Sequence, residues 1–211
     1  MGPCSSAFLT AALVALPTSG SGADVHVTRV AQGALLTHGE ESRELVWGRD
    51  IEATGLSGDG EFHQKPLIFA GYGVRIPGGY DDLAGLELKG RVVVIARVLP
   101  DLEPFAGLPE RERSLLARLR RLEEAKAVAV LILESGSPHP LRQEGAEQLG
   151  IPVLSLGRDA LGSACGDLQG RLKAIRDTRR PASQDFIYAP WTTLTLKLKL
   201  RREAVPAKGR P

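Results

Sequence analysis

Asp81-Asp82 is the side-chain pair in this sequence best suited to chemistry, two adjacent carboxylates following Tyr80. Oxygen ligands of that kind suit a hard cation such as calcium. Adjacent side chains on an extended chain diverge, however, and no third carboxylate is local. The pair therefore reads first as a turn in which an Asp side chain accepts backbone N–H groups. The histidines are His26, His38, His63 and His139. Catalytic zinc needs several His and carboxylate ligands around one open position. None of the four stands in a His-x-Asp or His-Glu-x-x-His arrangement, so each is expected on a solvated loop or strand. Ser135 in Glu-Ser-Gly and Ser155 in Leu-Ser-Leu lack the Gly-x-Ser-x-Gly elbow that would expose a nucleophile. They read as a loop serine and a strand serine. Gly71-Tyr72-Gly73 is too short for a phosphate loop and lacks its Lys-Ser/Thr. No catalytic residue, metal ligand or cofactor site is assigned.

Composition narrows the function classes. The chain has 211 residues, 43% hydrophobic and 25% charged, the balance of an ordinary globular protein. A net charge of +2 and 5% aromatic residues argue against nucleic acid as a partner. Cys4 and Cys165 give neither a disulfide framework nor a metal-ligand spacing. Residues 1–23 carry no charge, and Ala7–Leu16 has the length of a signal-peptide core, followed by small residues at Ser21-Gly22-Ala23. A basic n-region is missing, so a signal peptide, with an extracellular or periplasmic protein, stands beside a mis-assigned start as the alternative. The apolar run is short of the ~20 residues a membrane span needs.

The elements that would position these residues follow from pattern. Val25–Val30 alternates as a strand, and Ala34–Thr37 with Glu44–Trp47 reads as a hairpin around His38–Glu41. Pro66 is expected to open a fresh buried strand, Leu67–Ala70. Pro77-Gly78-Gly79 is a turn, and Val92–Ala96 is the most strand-like run. A helix is expected from Pro109, with Leu115, Leu119 and Leu122, and Leu116 beside them, as its apolar stripe. The arginines of 111–121, offset by Glu112, Glu123 and Glu124, read as a solvated face. Ala127–Leu133 and Ile151–Leu156 are further strands, the latter an edge or a strand start because of Pro152. Residues 159–175 are helical with breaks. There Gly162, Gly166 and Gly170 mark either a close helix contact or the breaks themselves. Thr193–Arg201 alternates strictly and reads as a half-buried antiparallel strand. The expected fold is α+β, a mixed sheet or open barrel of about seven strands flanked by two or three helices. It would occupy residues 24–202 as a single domain, with 203–211 as a tail.

The run PLIFAGYGVRIPGGYDDLAGLELKGRVVVIAR, from Pro66 to Arg97, resembles the protease-associated (PA) domain of bacterial di-zinc aminopeptidases, metallopeptidases related to aminopeptidase Y and glutamate carboxypeptidase II. There a strand ending in Gly-Tyr-Gly leads through Tyr-Asp-Asp to a Lys-Gly-Lys/Arg-Val-Val strand. The matching residues are Gly71, Tyr72, Gly73, Tyr80, Asp81, Asp82 and Gly90, and Ile151-Pro152-Val153 is similar to the Ile-Pro that opens a later PA strand. Lys126-Ala127 stands where that family usually has Gly-Ala, so the helix-to-strand turn is expected to be built differently. The resemblance covers about Ala34 to Arg201. It implies a non-catalytic accessory domain that shapes substrate access or contacts a peptide, a protein or a peptidase domain. Zinc would then be held only by a catalytic domain beyond this chain. The motif residues would be structural. A stand-alone peptide-binding adaptor, or an aminopeptidase fragment without independent role, is the alternative.

Overall fold

The computed structural model describes residues 25–138, 148–162, 167–181 and 188–204. Cys4, Cys165, His139, Gly166, the expected signal segment and 205–211 of the expected tail lie outside them, whereas Glu203 and Ala204, expected in the tail, continue the last strand. Eight strands form one mixed sheet in the order β2-β1-β8-β4-β5-β6-β7-β3, and helices pack against it. The strands are β1 (Val25–His38), β2 (Glu41–Glu44), β3 (Ile51–Ala53), β4 (Gly60–Phe69), β5 (Val92–Ala96), β6 (Ala129–Leu133), β7 (Val153–Leu156) and β8 (Tyr188–Ala204). A single turn, α1 (Glu110–Arg113), precedes α2 (Leu115–Glu124), and α3 (Leu168–Thr178) comes before the last strand. The fold is α+β, with one more strand than the pattern suggested.

Two halves of the sheet obey different rules. β4, β5, β6 and β7 run parallel and are joined through α2 between β5 and β6. Leu67–Phe69 of β4 and the residues of β5, β6 and β7 are buried on both faces, which is why these runs read as continuously apolar. Ile68, Val93, Ile95, Val130, Ile132 and Val153 face a core with Leu119 and Leu122 of α2. The alternate residues Leu67, Phe69, Val92, Val94, Leu131 and Leu154 face a second core with Leu168, Leu172 and Ile175 of α3. Fully burying each Leu, Ile or Val contributes roughly 1.5–3 kcal/mol. In the antiparallel half, β2-β1-β8-β4, strands β1 and β8 are covered on one face only and all four residues of β2 are exposed. Leu194, Leu196 and Leu198 of β8 are buried while Lys197 and Lys199 are exposed, as strict alternation requires. The sheet curls until its margins meet. Arg29 of β1 donates to Glu52 of β3 at 2.8 Å and lies over the Trp47 ring.

Several boundaries differ from expectation for physical reasons. β1 is one long strand with a register shift between Arg29 and Ala31, and its hairpin partner is Glu41–Glu44, not Glu44–Trp47. Pro66 does not open an element; it lies inside β4, at the register shift between Pro66 and Leu67. β3 has too short a run to announce itself. It pairs antiparallel with β7, so β7 is internal, with Pro152 just before its start. The helix expected from Pro109 breaks at Ser114, whose hydroxyl accepts the Ala117 N–H and caps α2. Lys126 takes φ 65°, so a lysine makes the left-handed turn for which glycine is the usual residue.

Candidate functional site

The connection between β4 and β5, residues 70–91, gathers Gly71, Tyr72, Gly73, Tyr80, Asp81 and Asp82 at the carboxyl ends of the parallel strands, while Gly90 and Pro152 lie at the starts of β5 and β7. Ligands bind at such ends in open α/β sheets, which makes this the place where a site would form. After Phe69 the chain turns through Gly71 and Gly73, with φ 52° and 69°. The Gly71 carbonyl accepts from Ala96 N–H at 2.8 Å, tying the turn to the end of β5. Gly90 has φ 76°, and its N–H reaches the Lys126 carbonyl at 3.0 Å, which starts β5 beside the α2–β6 turn.

Asp82 is the hub of this loop. Its Oδ2 accepts the Tyr72 N–H at 3.0 Å and the Val74 N–H at 3.2 Å, and its Oδ1 accepts the Tyr80 hydroxyl. The residue is 5% exposed. Burial pushes its carboxyl up to about 7, against the Tyr80 hydroxyl and the two backbone N–H groups, which favour the anion. Burial likewise raises the Tyr80 phenol, and the Asp82 charge adds to it. Asp81 points elsewhere: its Oδ1 accepts the Leu83 N–H at 2.8 Å, and its Oδ2 lies 3.2 Å from Arg75 Nε. The two carboxylates diverge and do not form a shared cation site. Phe105 stacks edge-on against both Tyr72 and Tyr80, at 5.2 and 4.8 Å between centroids.

A substitution at Gly71 tests this packing. A Cβ there would meet Asp82 Cγ at 2.8 Å, whereas one at Gly78 (φ 72°) meets nothing within 4 Å. Gly71→Ala is therefore expected to cost about 3 kcal/mol and Gly78→Ala about 1 kcal/mol. Urea denaturation of the two variants checks the gap between them. Equal losses would mean that Asp82 does not crowd the turn.

Arg118 corrects the expectation of a solvated arginine face. It is 2% exposed and donates to the carbonyls of Tyr72 (2.8 Å), Ala96 (3.0 Å) and Arg97 (2.5 Å). Burial lowers its guanidinium to about 10, with the Asp82 charge opposing that shift. Arg121, one turn on, reaches the Gly73 carbonyl at 3.4 Å and Glu112 at 2.6 Å. The missed signal was positional: 118 completes the i, i+3, i+4, i+7 stripe of Leu115, Leu119 and Leu122. A second buried group was also missed. Glu134 holds Arg97 at 3.2 Å and accepts from Ser155 at 3.0 Å, across the ends of β5, β6 and β7. Arg97 and Glu134 each directly follow a buried strand whose last residues, Ala96 and Leu133, are partners.

Other candidates stay apart from this loop. His38 Nδ1 is 2.8 Å from Thr192 Oγ1, and His63 is exposed on β4. The His26 side chain lies outside the described residues. Ser155 is buried in β7, Ser135 lies in the loop after β6, and Pro152 is buried with its carbonyl accepting the Val130 N–H. Gly170 sits in the first turn of α3, its N–H bonded to Asp167 Oδ1. Among the described residues, no three His, Cys, Asp or Glu side chains are grouped to hold a metal ion. No described helix is long and apolar enough to cross a membrane.

A cleft of about 390 Å³ opens beside Tyr80, lined by Gly79-Tyr80, Glu103-Pro104 and Arg179-Arg180-Pro181. Asp82 cannot act as a base there, because both its oxygens are engaged by the chain itself and a general base must reach its substrate.

No family model matches the chain, and no curated protein matches it. Among solved structures it is similar to a zinc aminopeptidase from Bacillus subtilis, at 21% identity and TM-score 0.46, over 86% of this chain and 35% of that one. It is also similar to an aminopeptidase from Aneurinibacillus sp. strain AM-1, at 16% identity and TM-score 0.44, over 85% and 36%. A subtilisin-like protease from Pseudoalteromonas sp. AS-11 is similar at 10% identity and TM-score 0.36, over 86% and 36%. The chain thus spans about a third of the length of the solved structures it matches.

Proposed function

We propose that this chain is a non-catalytic, protease-associated-type part of an aminopeptidase-like protein, working in peptide access or protein contact. The observation that carries the reading is the use made of the motif run. The polar groups of Asp82 and Arg118 are turned inward, onto the backbone of Tyr72, Val74, Ala96 and Arg97 and onto the Tyr80 hydroxyl. Residues used in this way hold a loop in shape and leave no reactive group presented to solvent. The motif resemblance supplies the class of protein in which such a loop is an accessory part.

Among the described residues, the side chains do not fit a zinc centre. His38 is bound to Thr192, His63 stands exposed, and the Asp82 oxygens are already occupied by donors. No zinc step is assigned to these residues, and peptide-bond chemistry would belong to another segment. A free-standing peptide-binding adaptor is a second reading. The cleft beside Tyr80 favours it, since a cleft can be filled without a catalytic partner. Incubated with an aminopeptide p-nitroanilide and added zinc, the chain is expected to release no nitroaniline. Release that a chelator abolishes would overturn the non-catalytic reading.

A further inference from the structure

β8 runs through the antiparallel half with β1 on one side and β4 on the other. Alternation buries Thr192, Leu194, Leu196 and Leu198, and it turns Trp191, Thr193, Thr195, Lys197 and Lys199 to the outer face. Trp191 is 73% exposed there. Beside it β1 contributes Leu35, which lies directly opposite Thr195 and is 39% exposed. Tryptophan is enriched at protein interfaces, where its large ring leaves water.

Charge on this face has opposite sign at its two ends. At the Trp191 end the Gly39 N–H bonds the Trp191 carbonyl at 3.1 Å, and Glu40 and Glu41 follow, both exposed. At the other end stand Lys197 and Lys199, with Arg201 beyond them. Lys197 lies 3.6 Å from Glu61 of β4, so Lys199 extends the basic end past that pair. A polyanion laid along β8 would meet the glutamates, and a polycation would meet the lysines. A second copy of the same face, turned end for end, meets neither obstacle.

The register makes that fit specific. Trp191 and Lys199 each lie four positions from Thr195, on opposite sides of it. A twofold axis running across the strands at Thr195 lays β8 of one copy antiparallel on β8 of the other. Trp191 then comes over Lys199 of the second copy, and Leu35 over its own equivalent. Every such contact occurs twice, because a twofold interface is isologous. An ammonium over an indole face is a favourable cation–π pair. Glu40 and Glu41 of each copy meanwhile approach the basic end of the other, which fixes the direction of packing.

The curl of the sheet limits the area. Three strands spaced by ~4.8 Å, touching over eight residues of β8, bury on the order of 400 Å² per copy. A standard stable interface buries ~800 Å² per partner, so this contact belongs to the weak, reversible class.

We propose that the outer face of β8 is a weak homodimer contact, with Trp191 of each copy packed against Lys199 of the other about a twofold axis at Thr195.

Sedimentation equilibrium of the chain up to about 0.5 mM is expected to show a monomer–dimer equilibrium with Kd of about 0.1 mM. Trp191→Ala and Lys199→Glu, both at exposed positions, should keep the wild-type urea midpoint and each weaken the dimer about tenfold. The axis is tested by Leu35→Cys in a Cys4→Ser/Cys165→Ser background, treated with a short bismaleimide. That variant should be trapped as a covalent dimer, while Glu124→Cys on α2 in the same background should not. A chain that stays monomeric at 0.5 mM overturns the proposal. So does a dimer that survives both surface variants, or one that is trapped equally well through Glu124→Cys.

Discussion

Replacing Asp82 with alanine is expected to cost about 4 kcal/mol at pH 5, because it strands three buried donors at once. Those donors are the Tyr72 N–H, the Val74 N–H and the Tyr80 hydroxyl. A domain of this size is stable by roughly 5–15 kcal/mol, so the variant should sit near its unfolding threshold. Asp82→Asn is not a conservative rescue. Its amide has one acceptor oxygen, so its NH₂ must face a donor either at the backbone or at Tyr80. The cost also depends on pH, with a definite sign. The folded carboxyl is raised to about 7 from 3.8. Its stabilising contribution is therefore complete below about pH 4 and is lost as pH rises through 7. That difference is on the order of 4 kcal/mol across the window, since each tenfold change in proton affinity is worth about 1.4 kcal/mol. The gap between wild type and Asp82→Ala should accordingly narrow from pH 5 to pH 8. Urea denaturation at each pH measures it, and a ¹³C titration of the Asp82 carboxyl should show a midpoint near 7. A gap that widens with pH would show that the anion, and not the acid, is the form the fold prefers.

Arg118→Ala should cost about 3–5 kcal/mol by the same kind of loss. Three carbonyls, those of Tyr72, Ala96 and Arg97, lose their donor at a 2% exposed position. Arg118→Lys should recover only part of this, since a single ammonium cannot span the carbonyls that a planar fork reaches. The two buried groups also act on each other through one residue: Asp82 accepts the Tyr72 N–H while Arg118 donates to the Tyr72 carbonyl. A double-mutant cycle between Asp82→Ala and Arg118→Ala should therefore show a coupling of about 1 kcal/mol or more. Strict additivity would mean that the loop is held by two independent anchors. If Arg118→Met were as stable as the wild type, the guanidinium would serve to fix the loop's geometry and not its stability.

What could be read from residues alone was whatever periodicity controls. β5, buried on both faces, and β8, alternating along its length, followed directly from pattern. The turn at Pro77-Gly78-Gly79 followed from the local preferences of proline and glycine. β3 was not legible, because so short a run carries no period and its pairing with β7 is decided by a contact far away in the chain. Arg118 was illegible to a rule that treats charge as exposure, although its place in the Leu115–Leu122 stripe contradicted that rule. Its burial depends on carbonyls at the ends of two other segments, which local sequence cannot foresee. Lys126 hid a left-handed turn for a similar reason, since tertiary structure can impose a conformation that the residue itself disfavours. The cleft was the least visible feature of all. Its lining joins the turn at Gly79-Tyr80, the segment at Glu103-Pro104 and the end of α3, and only the folded chain makes neighbours of them.

The pairing of β1 with β8 has a mechanical consequence. Val25 lies opposite Ala204, so the two ends of the described chain leave the sheet at one corner. A force applied between those ends would open the ladder one cross-strand pair at a time, as a zipper opens, and would not load all its hydrogen bonds together in shear. The resistance to such a pull would come from single pairs near the corner, however well the parallel strands behind them are packed. Trimming either end would likewise unpair the other, so the first and last strands must be kept or lost as one.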